Sequence, residues 1–221
     1  MSPNIPPAGE AFEVVYLVLS GTTTAARCPE LLRALVRLGF ATVIAIPTPN
    51  AARVVAPREL ADVEGAQVVQ SYFDLAIRPR PPRAVVMFAP CSFNSLNKLA
   101  HGIADSLALS VVAEAIGRGT PVVVGPSLNA PLLNHPQARA SLEKLPTWGV
   151  TIVPPVDAGE GPRLAPTEVL VDAVRPMFVS AYRALANSPA IPLPVPLQFR
   201  CRFPCNSAAR RRAINRPGAA K

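Results

Sequence analysis

Apolar residues fall along this chain in short recurring blocks separated by polar, helix-favouring stretches. Val14-Val15-Tyr16-Leu17-Val18-Leu19, Ala41-Thr42-Val43-Ile44-Ala45-Ile46, Ala84-Val85-Val86-Met87-Phe88-Ala89, Pro121-Val122-Val123-Val124-Gly125 and Val150-Thr151-Ile152-Val153 are rich in β-branched residues. Runs of this kind, bounded by Gly, Pro, Ser or Thr, predict strands buried on both faces. A shorter strand is predicted over residues 67–69. Helices are predicted over residues 29–38, in a short stretch ending at Val55, over 94–117 with a bend, over 137–145 and over 166–186. Residues 74–83 contain three prolines and predict an irregular loop feeding the central strand. Strands alternating with helices predict an α/β protein, with a three-layer Rossmann-like or flavodoxin-like fold and a mostly parallel sheet. We expect a loose leader over residues 1–12, one domain over 13–187 and a Pro/Arg-rich tail over 188–221 without regular structure.

The longer strands stop in similar ways. Ser20-Gly21-Thr22-Thr23-Thr24 follows the first, Pro47-Thr48-Pro49-Asn50 the second, Pro90-Cys91-Ser92-Phe93-Asn94-Ser95 the central one and Pro126-Ser127-Leu128-Asn129 the next. In parallel sheets, ligands bind outside the carboxyl ends of the strands, where these turns fall. A helix start leaves backbone N–H groups unpaired and carries the positive end of the helix dipole, so a phosphate can dock there. Gly21 permits a tight turn, and Ser92, Asn94 and Ser95 can add side-chain hydrogen bonds. Taken one at a time, the same residues also read as simple helix N-caps.

Composition narrows the field. Half of the 221 residues are hydrophobic and 16% are charged, which fits a well-buried sheet and an apolar subunit interface. No apolar run reaches the ~18 residues of a membrane span, and Met1–Gly9 lacks the basic-then-apolar pattern of a signal peptide, so the expected location is the cytoplasm. The net charge of +8 is uneven, because residues 196–221 hold seven basic residues and no acidic one. Contact with nucleic acid or anionic lipid is therefore expected only through that tail. Cys28, Cys91, Cys201 and Cys205 are too scattered for a disulfide framework. Cys201 and Cys205 lack a second ligand pair nearby, so no metal site is expected.

Three motifs, in order, resemble the homo-oligomeric flavin-containing cysteine decarboxylase superfamily, which includes phosphopantothenoylcysteine decarboxylase and the lanthipeptide-type peptidyl-cysteine decarboxylases. Ser20-Gly21-Thr22-Thr23-Thr24-Ala25-Ala26, with the following Pro29-Glu30-Leu31, resembles that family's Gly-Ser-Ile-Ala-Ala turn and Pro-Glu-Leu. Pro90-Cys91-Ser92-Phe93-Asn94-Ser95 is similar to Pro-Ala-Ser-Ala-Asn-Thr, and Pro126-Ser127-Leu128-Asn129 to Pro-x-Met-Asn. The resemblance implies FMN as cofactor, bound between subunits of a trimer or trimer-based assembly. It places Gly21, Thr22, Thr48, Ser92, Asn94 and Ser95 around the flavin phosphate and ribityl chain. It gives Asn129 the recognition of a substrate carboxylate, and residues 154–166 the role of a mobile substrate-covering loop. The implied reaction is oxidative decarboxylation of a small thiol or of the C-terminal cysteine of a peptide.

Two departures qualify that picture. The position of the family's catalytic histidine falls at Ala76, and neither His101 nor His135 replaces it. Leu128, Leu132 and Leu133 stand where the family has Met, Met and Trp. Three readings follow: an FMN-dependent decarboxylase, a flavin-binding module or regulatory subunit without decarboxylation, and a flavin prenyltransferase-like enzyme. The last resembles this chain at Pro90-Cys91-Ser92 but carries Arg-Glu where Ser127-Leu128 lie here. Cys91 reads as a small packing residue.

Overall fold

The computed structural model describes residues 14–40, 42–77, 84–157, 159 and 161–186, with side chains to residue 177. The expected leader, part of the proline-rich loop and the basic tail with Cys201 and Cys205 lie outside the described residues. The main sheet is built from β1 (Val14–Leu19), β2 (Thr42–Pro47), β3 (Ala66–Val68), β4 (Ala84–Cys91), β5 (Val122–Pro126) and β6 (Val150–Ile152). Their order is β3-β2-β1-β4-β5-β6, and every neighbouring pair is parallel. The predicted α/β class with a mostly parallel sheet is thus observed. The chain builds outward from β1 to β2 and β3, then crosses to β4 on the opposite side of β1. The β1/β4 boundary is therefore the topological switch point, where two connections diverge and leave a crevice at the strands' carboxyl ends.

Alternation along the strands sends side chains into two apolar layers. Val15, Leu17 and Leu19 join Val85 and Met87 beneath α1 (Cys28–Arg37) and α7 (Thr167–Ala186). Tyr16, Val18, Val86 and Phe88 pack on the opposite face under α3 (Phe93–Ala100), α4 (Leu107–Arg118) and α6 (Pro136–Thr147). Helices on both faces explain why β4 is buried along its whole length.

Several boundaries differ from the sequence reading. The central strand continues through Pro90 to Cys91, with a cis Ala89–Pro90 peptide. Because Pro90 has no N–H to give to the ladder, the register with β5 shifts between Phe88 and Cys91. The helix expected over residues 94–117 is two helices. Gly102 adopts φ 70° after α3, and Ser106 caps α4 by accepting from Leu109 N at 3.4 Å. Two five-residue helices went unpredicted, α2 (Pro57–Ala61) and α5 (Ala130–Asn134); neither is long enough to establish a period. Within residues 154–166, β7 (Val156–Asp157) and β8 (Pro162–Arg163) pair as a small hairpin. The Asp157 carboxylate accepts from Gly159 N and Gly161 N at its tip.

Candidate cofactor site

The switch point is fastened by one buried hydroxyl. Ser20, 2% exposed, follows β1 directly. Its N–H donates to Pro90 O at 3.0 Å, its hydroxyl donates to the same carbonyl at 2.9 Å, and its Oγ accepts from Ser92 N at 2.7 Å. The turns leaving β1 and β4 are thereby held as one unit. The next residue has no room for a side chain, since a Cβ on Gly21 would lie 2.5 Å from Asn50 Cβ and 2.7 Å from Asn50 C. That close approach draws the β2 turn in as well. Thr48 extends the ladder through its N–H to Leu19 O at 2.9 Å, and its hydroxyl accepts from Ala51 N at 3.2 Å.

Helix α3 begins at this junction. Ser92 is its N-cap, accepting from Ser95 N at 3.3 Å and donating to the Ser95 hydroxyl at 3.1 Å. The Phe93 and Asn94 amides are left without an acceptor among the described residues, at the positive end of the helix dipole. A fourth turn arrives from β5, where Ser127 N donates to Cys91 O at 2.8 Å. Its hydroxyl meets Thr24 Oγ1 at 2.7 Å, and Thr24 in turn meets Thr22 Oγ1 at 2.8 Å.

Gly21, Thr22, Thr48, Ser92, Asn94 and Ser95 all line one cavity of about 550 Å³. Ser20, Asn50, Ser106 and Ser127 line it too and were not singled out from the sequence. Ser20 and Ser127 share a signal that could have found them: each is the first residue beyond a buried strand of the sheet. The ionisable lining groups are Lys98 and Asp105, which pair at 2.5 Å across the joint between α3 and α4. The walls are therefore largely neutral donors and acceptors.

Asn129 is outside this lining. Its Oδ1 caps α5 by accepting from Leu132 N at 3.1 Å, which leaves its amide nitrogen free to donate elsewhere. His101 and His135 are not among the lining residues either. His101 Nδ1 lies 2.7 Å from Asn97 O, while His135 Nδ1 accepts from Gln137 N at 3.1 Å with its ring edge-on to Phe93. Ala76 is exposed in a 3₁₀ turn (Leu75–Ile77), with its N–H held by the Asp74 carboxylate at 2.9 Å. Cys91 is fully buried, and burial pushes its thiol pKa well up, consistent with packing. Among the described residues no cluster of His, Cys, Asp or Glu could hold a metal ion, and no helix is long and apolar enough to cross a membrane.

A parallel sheet whose order reverses between β1 and β4, with a hydroxyl-lined crevice at that point, defines a doubly wound α/β protein whose crevice lies where such sheets take their ligands. More particularly, the chain belongs to the Flavoprotein family, whose profile matches residues 9–178. It is 29% identical over 147 residues to the coenzyme A biosynthesis bifunctional protein CoaBC of Thermococcus kodakarensis, covering 64% of this chain and 36% of that protein. It is 31% identical over 106 residues to a probable phosphopantothenoylcysteine decarboxylase of Arabidopsis thaliana, covering 45% of this chain and 52% of that protein. The chain thus spans between a third and about half of the length of these relatives. Among solved structures, the FMN binding protein AtHal3 aligns with TM-score 0.64 at 21% identity, covering 76% of this chain and 98% of that one. The peptidyl-cysteine decarboxylase EpiD aligns with TM-score 0.61 at 15% identity, covering 73% and 97%. These two likenesses concern the fold.

Proposed function

We propose that this chain binds FMN at the β1/β4 switch point and acts as a flavin-dependent decarboxylase of a cysteine-derived carboxylate, either a small thiol or a cysteine-ended peptide. The observation that carries the reading is the convergence of four strand-end turns, those after β1, β2, β4 and β5, on one cavity of about 550 Å³. That volume suits a ligand of nucleotide size, within the range of roughly 300–1,000 Å³ typical of such sites. The residues fit the cofactor. The Phe93 and Asn94 amides, the Ser95 hydroxyl, which accepts from Ser92 and keeps its own proton to donate, and the α3 dipole suit a phosphate ester. Gly21, Thr22 and Thr48 offer a close backbone and small hydroxyls to the polyol. The chemistry FMN supplies when bound is two-electron oxidation of the thiol-bearing carbon, after which the adjacent carboxylate can leave as carbon dioxide. Asn129, with its Oδ1 engaged in the helix cap, would present its amide N–H groups to that carboxylate. We further propose a homo-oligomer, trimeric or trimer-based, in which a neighbouring subunit completes the site, and a cytoplasmic location.

A second reading, a flavin-binding module without decarboxylation, is favoured by one observation. At the position of the family histidine stands the exposed methyl of Ala76, and the lining ionisable groups, Lys98 and Asp105, neutralise each other. One assay separates the two. FMN-loaded protein is mixed anaerobically with a cysteine-ended peptide and followed by flavin absorbance and peptide mass. Bleaching with loss of about 46 Da, carbon dioxide plus the two hydrogens passed to the flavin, supports the decarboxylase, and bleaching with loss of only about 2 Da restricts the chemistry to dehydrogenation. No change across a peptide panel favours the module. A colourless protein that ignores added FMN overturns both.

A further inference from the structure

Three hydroxyls form a chain across the cavity wall: Thr22 Oγ1 to Thr24 Oγ1 at 2.8 Å, then Thr24 Oγ1 to Ser127 Oγ at 2.7 Å. Thr22 and Ser127 face the cavity, whereas Thr24 stands behind them and lines a separate small cleft with Arg27, Cys28 and Thr167. The polarity of this chain follows from counting protons. Each hydroxyl owns one proton, so Thr24, bonded on both sides, can donate in only one direction. In the other direction it must accept, and either Thr22 or Ser127 spends its proton on Thr24. At most one of the two cavity-facing hydroxyls can therefore donate into the cavity, and the other presents lone pairs. A phosphate, which only accepts, can use no more than one of them. A ligand edge that both donates and accepts can use both.

Resting on the reading of the cavity as a flavin site, we propose that Thr24 is a positioning residue that makes the Thr22/Ser127 wall specific for the uncharged part of the ligand. The phosphate is left to the start of α3. Two uncharged groups carry the required chemistry, the imide edge of the flavin ring and the hydroxyls of the ribityl chain. Thr24 touches neither and acts by fixing which way the two wall hydroxyls turn.

The test measures dissociation constants of FMN and riboflavin by fluorescence quenching, together with inhibition of FMN binding by inorganic phosphate. The proteins are wild type, T24V, T24S and S127A. T24V keeps the shape of the side chain and removes the hydroxyl. The expected result is about a tenfold loss for FMN and riboflavin alike, as two neutral hydrogen bonds are disrupted. S127A is expected to lose affinity for both, T24S to recover to within about threefold of wild type, and phosphate inhibition to stay unchanged. Lumichrome, which keeps the ring and lacks the polyol, separates the two sources. Weaker lumichrome binding in T24V supports the ring edge, and an effect confined to riboflavin and FMN supports the polyol. Loss of FMN affinity without loss of riboflavin affinity would overturn the proposal by putting the phosphate on this wall. A parallel loss of phosphate inhibition would overturn it by reducing Thr24 to a structural staple. Unchanged binding in T24V overturns the proposal while leaving the flavin site standing, whereas a wild-type protein that binds neither flavin overturns the flavin reading itself and the proposal with it.

Discussion

Two phenylalanines divide the molecule. Phe88 lies in β4, fully buried between parallel neighbours, and its strand leads straight into the turn that Ser20 fastens. Phe73 lies in the stretch after β3 and is 85% exposed, with Leu75 83% exposed beside it. Around Phe88, buried strand ends and turns tied together through Ser20 and Ser127 hold the cavity's donors in place. Around Phe73, short polar bonds from Ser71 and Asp74 shape a turn that carries Ala76 at its surface. Under the proposed function, the contrast separates the cavity that would hold the flavin from the position where the resembling family keeps its histidine. The cavity adjoins the buried centre of the sheet, while Ala76, at the position where the resembling family keeps its histidine, sits on an exposed turn. A chain can therefore lack the histidine and keep the cavity.

The comparison breaks most visibly at the centre. Phe88→Ala should cost about 3–5 kcal/mol, the range for removing a buried aromatic from a packed core. A urea titration should show the unfolding free energy falling by that amount, read as the midpoint shift times the slope, with flavin binding lost in the same transition. Ser20→Ala comes next. Pro90 O keeps its bond from the Ser20 amide, but the Ser92 amide loses its acceptor, a loss of about 1–3 kcal/mol. Gly21→Ala should cost a similar ~1–3 kcal/mol through overpacking against the Asn50 backbone. Both variants should weaken FMN binding by more than Phe73→Ala does, measured by fluorescence quenching.

The same contrast decides what could be read from the residues alone. The strands were legible because burial on both faces leaves unbroken apolar runs, and the cavity lining followed because small polar residues stop those runs at one end of the sheet. The bonds that assemble the site were not legible. Ser20 to Ser92 and Thr24 to Ser127 join positions 72 and 103 residues apart, and no local pattern encodes such pairs. The break between α3 and α4 was blurred because Leu99, Ala100, Leu107 and Ala108 keep the chain apolar on both sides of Gly102. Asn129 was placed by resemblance alone, and the structure shows its carbonyl oxygen engaged in capping α5.

A smaller effect distinguishes the core by pH. Burial pushes the Cys28 thiol from 9.0 up to about 12, and Cys91 shifts in the same direction. In the unfolded chain both thiols ionise near their ordinary value, so between about pH 9 and 12 the folded state binds more protons than the unfolded one. The contribution is complete below pH 9 and is lost as pH rises, at up to about 1.4 kcal/mol per pH unit for each thiol. Denaturant midpoints measured from pH 8 to 10.5 should fall more steeply for wild type than for Cys28→Ser, and least for the double variant Cys28→Ser, Cys91→Ser. Equal slopes would mean that the thiols are reached by water.

The smallest effect is the sharpest test of the exposed stretch. Phe73→Ala removes a ring that the chain leaves mostly in water, so its stability by urea titration should stay within about 0.5 kcal/mol of wild type. The same ring type that costs several kcal/mol at position 88 should cost almost nothing at 73, because the loss scales with apolar surface already withdrawn from water. A loss approaching about 2 kcal/mol at position 73 would require the ring to be covered in solution. Sedimentation would then show whether a second copy of the chain supplies the cover, by a fall in assembly size that tracks the substitution.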